Sequence, residues 1–197
     1  MKIILVRHGE SDWNLEGRVQ GQQGGPLNKK GLEQARKAGL WLKNENIVAI
    51  YSSDQERARQ TALEIAKFHK APVRCTKTLR ESSLGELEGI PLQEYRRIRD
   101  KSGLPKHLYK APGGGENYID MQKRVKRFLA VLKKKHSKQT VLIVSHKLLT
   151  RTLISVLTGT RISDAPEIEQ HNAAINVIEL NPGQKPKVHY LNSTEHL

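Results

Sequence analysis

Short unbroken apolar runs alternate along the chain with segments whose apolar residues recur at helical spacing. Ile3 to Val6 and Val141 to Val144 are the clearest runs. Runs this short suit strands buried on both faces, although periodicity alone does not separate them from buried helix. Ile47 to Tyr51 and Pro72 to Thr76 read as further strands, and Ala173 to Leu180 and Lys187 to Leu191 as a last pair joined through Asn181-Pro182-Gly183. Between the strands, Leu32, Ala35, Gly39 and Leu42 keep helical spacing to about Lys43 behind Asn28, a residue suited to an N-cap. Ala58, Ala62, Ile65 and Ala66 do the same behind the cap cluster Ser52-Ser53-Asp54. A long helix is expected from about Glu116 to Lys135, with Val125, Phe128, Leu129 and Leu132 inward and lysines outward. Leu148, Leu149, Thr152, Leu153, Val156 and Leu157 mark another buried helix, ending near Gly159.

Two stretches interrupt this alternation. Asp12 to Pro26 is polar and glycine-rich, and it is long for a connection; such loops are usually functional or mobile. Residues 82–115 are rich in glycine and proline and poor in periodicity. A short helix over Leu92 to Asp100 is expected there, inside an otherwise irregular cap, a natural place for substrate selection. Alternating strands and helices imply an α/β layered fold with a mostly parallel sheet. At 197 residues the chain fits one domain, 1–197, with the cap as an excursion at about 82–115.

Composition narrows the class. Charged residues are 27% and hydrophobic residues 37%, which fits a globular chain better than a disordered one. No apolar run approaches the about 20 residues of a membrane helix. The first run is too short for a signal-peptide core, so the expected compartment is the cytoplasm, with no membrane partner. Cys75 is alone, which excludes an intramolecular disulfide and a cysteine metal cluster; a core or strand-edge thiol is expected. The net charge of +14 would suit nucleic acid, but aromatics are only 5%, which offers little for base stacking. A solvated basic helix face accounts for the charge, and no specific nucleic-acid partner is expected. A homodimer is left open.

The candidate chemistry lies where the strands stop. Ile3 to Val6 is followed by Arg7-His8-Gly9, and Val141 to Val144 by Ser145-His146. If both strands are parallel and central, both histidines emerge at the same sheet edge, where open α/β sheets bind ligands. Gly9 would let the backbone turn sharply and hold His8 at the edge of the core. Two histidines beside an arginine make a cationic pocket suited to a phosphoryl group. Arg57, in the first turn of its helix, would face an anion together with free helix N–H groups.

The ordered set LVRHGES, Asn14, GRVQG, Pro26-Leu27, Gly31 with Gln34-Ala35, YSSDQERARQTA, Leu79-Arg80-Glu81, GELEG and VSH resembles the histidine phosphatase superfamily, the phosphoglycerate mutase-like family. The likeness runs from residue 1 to about 180. It implies a three-layer α/β sandwich whose mostly parallel, mixed central sheet has one antiparallel strand and helices on both sides. It further implies catalysis by His8, Glu81, His146, Arg7 and Arg57. His8 would be the nucleophile, its second ring nitrogen bound to a backbone carbonyl near Gly9. Arg7, Arg57 and His146 would meet the phosphoryl oxygens, and Glu81 would protonate the leaving group, with Glu86 and Glu116 the next carboxylates to consider. Substrate contacts are expected from Arg7, Gly9, Asn14, Gln20, Gly21, Arg57, Glu81, His146 and Lys147, with no metal and no cofactor.

This sequence departs from the family pattern at several places. Lys147 stands where glycine usually follows the second histidine, Gly24 where aspartate precedes PL, Leu87 where tryptophan is usual, and Asn117 where serine follows GGE. The expected activity is a metal-independent phosphomonoesterase acting on a small phosphorylated metabolite through a phosphohistidine. Gln20 resembles the phosphatase branch; mutases favour threonine there and carry longer caps. A cofactor-dependent phosphoglycerate mutase is the alternative, and a phospho-ligand or nucleic-acid binding module comes third.

Overall fold

A computed structural model describes residues 1–197. Six strands form one sheet: β1 (Lys2–Arg7), β2 (Ile47–Ser53), β3 (Val73–Thr76), β4 (Thr140–Ser145), β5 (Ile175–Glu179) and β6 (Lys187–Ser193). Their spatial order is β3-β2-β4-β1-β5-β6. The four strands from β3 to β1 are mutually parallel. β5 runs antiparallel to both of its neighbours, so it alone opposes the other five.

The unbroken apolar runs have the burial they imply. In β1, Ile3 and Leu5 face one core, and Ile4 and Val6 the other. In β4, Val141 and Ile143 join the first core, and Leu142 and Val144 the second. Because side chains alternate along a strand, a sheet covered on both faces needs apolar residues at every position. The first core is closed by α5 (Tyr118–Lys135) and α6 (Lys147–Thr158), through Met121, Val125, Leu129, Leu149 and Leu153. The second is closed by α2 (Lys29–Leu42) and α3 (Glu56–Ala66), through Ala38, Leu42, Ala58, Ala62 and Ile65.

Local details differ from the periodicity in instructive places. Leu32 is exposed, and Gly31, Ala35, Ala38 and Gly39 form the buried stripe of α2. A Cβ on Gly39 would stand 2.6 Å from the Phe68 ring and 3.1 Å from the Ile65 backbone, so small residues let α2 and α3 approach closely while Leu32 turns outward. The cap of α3 is Gln55 rather than the Ser-Ser-Asp cluster. Ser53 Oγ accepts the Gln55 N–H, and Asp54 is drawn away into a bidentate pair with Arg80 at 2.6–2.7 Å. Asn117 caps α5 reciprocally with Asp120, two residues later than a start at Glu116 would require. Cys75 lies on the edge strand β3 and is exposed.

The segment Asp12 to Pro26 is more ordered than its composition implies. It contains a short helix, α1 (Asp12–Leu15); a bridge from Ser11 to Leu27 joins its flanks, and a second, from Arg18 to Pro91, holds its middle. The second bridge binds it to the segment following β3. That segment carries α4 (Leu92–Lys101), which has no fully buried residue. Tyr95 of α4 and Tyr109 meet edge-to-face at 6.1 Å, which ties α4 to the later part of the same segment by aromatic packing. No helix of the chain is long and apolar enough to cross a membrane.

Candidate active site

β1 and β4 are neighbours in register, with Arg7 opposite Ser145, so the residues that follow them emerge together. His8 donates its backbone N–H to the Ser145 carbonyl at 2.9 Å. The His8 and His146 rings lie 5.1 Å apart, tilted by 58°. His8 Nδ1 stands 2.7 Å from the Gly9 carbonyl. Only a protonated Nδ1 can donate to that oxygen, so Nε2 keeps its lone pair. Burial, and after it Arg57 and Arg7, holds His8 well below the usual imidazole pKa, against the opposing pull of the Gly9 carbonyl. His146 is held low by burial and then by Arg57, His8 and Arg7. Both rings are therefore neutral at pH 7.

Gly9 has no left-handed φ, which corrects the expectation that a sharp turn demands glycine there. Space demands it: a Cβ at residue 9 would lie 2.4 Å from the Gly31 carbonyl oxygen at the start of α2. Gly9→Ala is expected to destabilise the protein by about 1–3 kcal/mol, the usual cost of overpacking. A thermal melt would check this, and an unchanged midpoint would show that α2 yields easily.

Arg7 and Arg57 are both buried beside the histidines. Arg7 Nη1 donates to the Gln170 carbonyl at 2.9 Å. Arg57 donates from Nη2 to Gly21 at 2.8 Å and from Nη1 to Gln23 at 2.7 Å, clamping the loop before Pro26. Burial pulls both guanidinium groups down to about 10, with Glu81 opposing, and both remain charged at pH 7. Arg7 Nε, Arg57 Nε and both ring nitrogens of His146 are buried without a hydrogen-bond partner. Folded proteins rarely leave such groups unmatched, and their convergence beside His8 defines a place for anionic oxygens.

A cavity of about 320 Å³ opens over these groups. Of the expected site residues, Arg7, His8, Asn14, Gln20, Gly21, Arg57, Glu81 and Lys147 line it; Gly9 and His146 are buried next to His8 and do not line it. Asn14 Oδ1 is occupied by Ser11 and Asn172 at 3.1–3.2 Å, which leaves its amide N–H₂ for a ligand. Gln20 spends its amide on Ser11 Oγ at 2.9 Å and presents an unpaired oxygen. Glu81 is buried at the start of α6. Its Oε1 accepts the Ser82 and Leu149 N–H groups at 2.9 and 3.2 Å, and its Oε2 accepts the Leu148 N–H at 3.0 Å. Neither Glu86 nor Glu116 reaches the cavity; Glu116 is instead paired with Arg124 at 3.0 Å. Lys147 takes no left-handed φ, so a side chain at this position leaves the backbone around His146 undisturbed.

Four residues at the site carried no sequence signal. Asn172 donates to the His8 and Gly9 carbonyls and to Asn14, at 3.1–3.2 Å, from a point 158–164 residues away. Leu84, Leu92 and Tyr95 form the cap wall of the cavity. Leu92 and Tyr95 share α4 at i, i+3 spacing, but Leu84 comes from the segment before it, and the three meet only over the sheet edge.

The chain matches the sequence pattern of the histidine phosphatase superfamily (branch 1) over residues 3–194. It is 37% identical over 185 residues to a metal-independent phosphoserine phosphatase of Arabidopsis thaliana, covering 91% of this chain and 76% of that one. It is 32% identical over 209 residues to phosphoglycerate mutase-like protein 4 of the same plant, covering 100% and 86%. Its fold superposes with a TM-score of 0.87 on phosphoserine phosphatase from Entamoeba histolytica, solved in complex with 3-phosphoglyceric acid, at 29% identity over 99% of this chain and 98% of that one. A paired-histidine site at the end of two central parallel strands and a match spanning nearly every residue lead to one conclusion: the chain belongs to branch 1 of the histidine phosphatase superfamily and is a phosphoric monoester hydrolase.

Proposed function

We propose that the protein hydrolyses small phosphomonoesters without a metal, through a phosphohistidine on His8. The observation that carries this reading is the set of unpartnered buried donors on Arg7, Arg57 and His146 around a histidine whose Nδ1 is already committed to Gly9. His8 Nε2 attacks phosphorus in line with the ester oxygen. The P–N bond forms as the P–O bond breaks, and Glu81 gives its proton to the departing alkoxide. Arg7, Arg57, His146 and the Asn14 amide meet the three equatorial oxygens as their charge redistributes. Water then gives its proton to Glu81 and attacks phosphorus, the P–N bond breaks, and phosphate and free His8 are restored.

The side chains at the site support metal independence. Two guanidinium groups supply the charge that a divalent ion would otherwise bring, and no three His, Cys, Asp or Glu side chains are grouped to hold one. A cavity of about 320 Å³ suits a metabolite rather than a phosphorylated protein segment. Steady release of inorganic phosphate from p-nitrophenyl phosphate, unchanged after prolonged dialysis against a chelator, is the expected result. Loss of activity on chelation, restored by a divalent ion, would reject the reading. Transfer of the phosphoryl group to a hydroxyl with no phosphate released would replace hydrolysis by mutase chemistry.

A further inference from the structure

Lys147 is the first residue of α6, directly after His146, and it lines the same cavity as His8 and Arg57. It is half-buried and forms neither an ion pair nor a hydrogen bond. The charges acting on it are Arg7 on β1, Arg151 on α6, Arg96 on α4 and, as the sole carboxylate, Glu81. A cation at a helix N-terminus also opposes the helix dipole. Every local influence except Glu81 therefore disfavours a charged amine here, and burial together with these cations lowers its pKa to about 8.

The cavity as a whole is overcharged in the same sense. Arg7, Arg57 and Lys147 line it against the single carboxylate of Glu81, while Arg18, also in the lining, is already paired with Glu16 at 2.9 Å. With Glu81 holding the proton it gives the leaving group, a phosphoryl dianion seated on Arg7, Arg57 and His146 matches two of those three positive charges and leaves Lys147 without a partner. Lys147 adjoins Leu148, whose N–H holds Glu81 Oε2, so it stands on the side where the leaving group departs. We infer that Lys147 is a specificity-determining residue, binding a second anionic group, a carboxylate or a second phosphate, carried on the alcohol part of the substrate. This inference rests on the phosphatase reading above.

The test compares two substrate pairs by kcat/KM. 3-Phosphoglycerate and glycerol 3-phosphate differ by a carboxylate; fructose 1,6-bisphosphate and fructose 6-phosphate differ by a second phosphate. The wild-type protein is expected to favour the charged member of at least one pair by about 10–100-fold, the range for a hydrogen bond to a charged group. The pair that shows the preference identifies the anion. Lys147→Met should shrink that preference at least about tenfold, chiefly through KM, and Lys147→Arg should restore most of it. The preference should also fade as pH rises through about 8, in the wild-type protein only. A wild-type protein that releases phosphate from p-nitrophenyl phosphate but favours neither charged substrate would overturn the inference and leave the phosphatase reading standing. A preference undiminished in Lys147→Met would overturn it equally. Release of no phosphate from any of the five compounds would instead sink the reading beneath it.

Discussion

His8→Ala should abolish turnover, with kcat falling by about 10⁴–10⁶, the scale seen when a catalytic nucleophile is removed. The reason is geometric. His8 Nε2 is the one nitrogen at the site that is both unprotonated by hydrogen bonding and open to the cavity; His146 lies beneath the surface with both ring nitrogens buried. Arg7 and Arg57 would remain to bind phosphate, so the variant should still bind substrate or an oxyanion analogue. Mixing the wild-type protein with a ³²P-labelled substrate and quenching in alkali should trap label on His8, and acid should release it. Label found on Cys75 or on a serine would reject the mechanism, and so would a variant retaining more than a few per cent of wild-type kcat.

Glu81→Gln is expected to lower kcat on alkyl phosphates by about 10²–10⁴, the usual contribution of a positioned general acid. The loss on p-nitrophenyl phosphate should be much smaller, because its phenolate leaves without a proton, provided phosphorylation of His8 limits the rate. The hydrogen bonds around Glu81 add a second consequence. Both carboxylate oxygens accept backbone N–H groups, from Ser82 and Leu149 on one side and from Leu148 on the other. A glutamine can keep only one oxygen as acceptor and must turn its N–H₂ toward a donor, a mismatch that costs about 1–3 kcal/mol. The melting temperature should therefore fall alongside activity, and only the dependence on leaving group isolates acid catalysis. Arg57→Ala should impair both substrates alike, since both place charge on the same phosphoryl oxygens, and it should also release the loop held at Gly21 and Gln23. Equal losses for Glu81→Gln on the two substrates would remove Glu81 from the acid role. Glu116 is no replacement, being committed to Arg124 and to the Ser83 N–H.

Much of the fold and half of the site could be read from residue order alone. β1 and β4 are apolar at every position because both of their faces are covered, and that signal needs only a few consecutive residues. Their parallel adjacency then forces His8 and His146 to one edge, so two short local patterns predict a long-range meeting. The two arginines and Glu81 followed from their place in an ordered set of motifs. Tertiary structure decided what no run of residues encodes. Gly9 is required by the approach of the Gly31 carbonyl, a contact between β1's end and α2. Asn172 reaches His8 and Asn14 only because the segment after α6 returns across the sheet edge. Leu84, Leu92 and Tyr95 become a cavity wall only when the excursion folds back over the strand ends. Lys147 was visible in the sequence as a departure from the pattern. Its surroundings of Arg7, Arg96 and Arg151, which turn a substitution into an electrostatic demand, belong to three different elements. Periodicity reports which face of an element is buried, because burial repeats along the element. A site is the meeting of single residues from many elements, and that is settled only by packing.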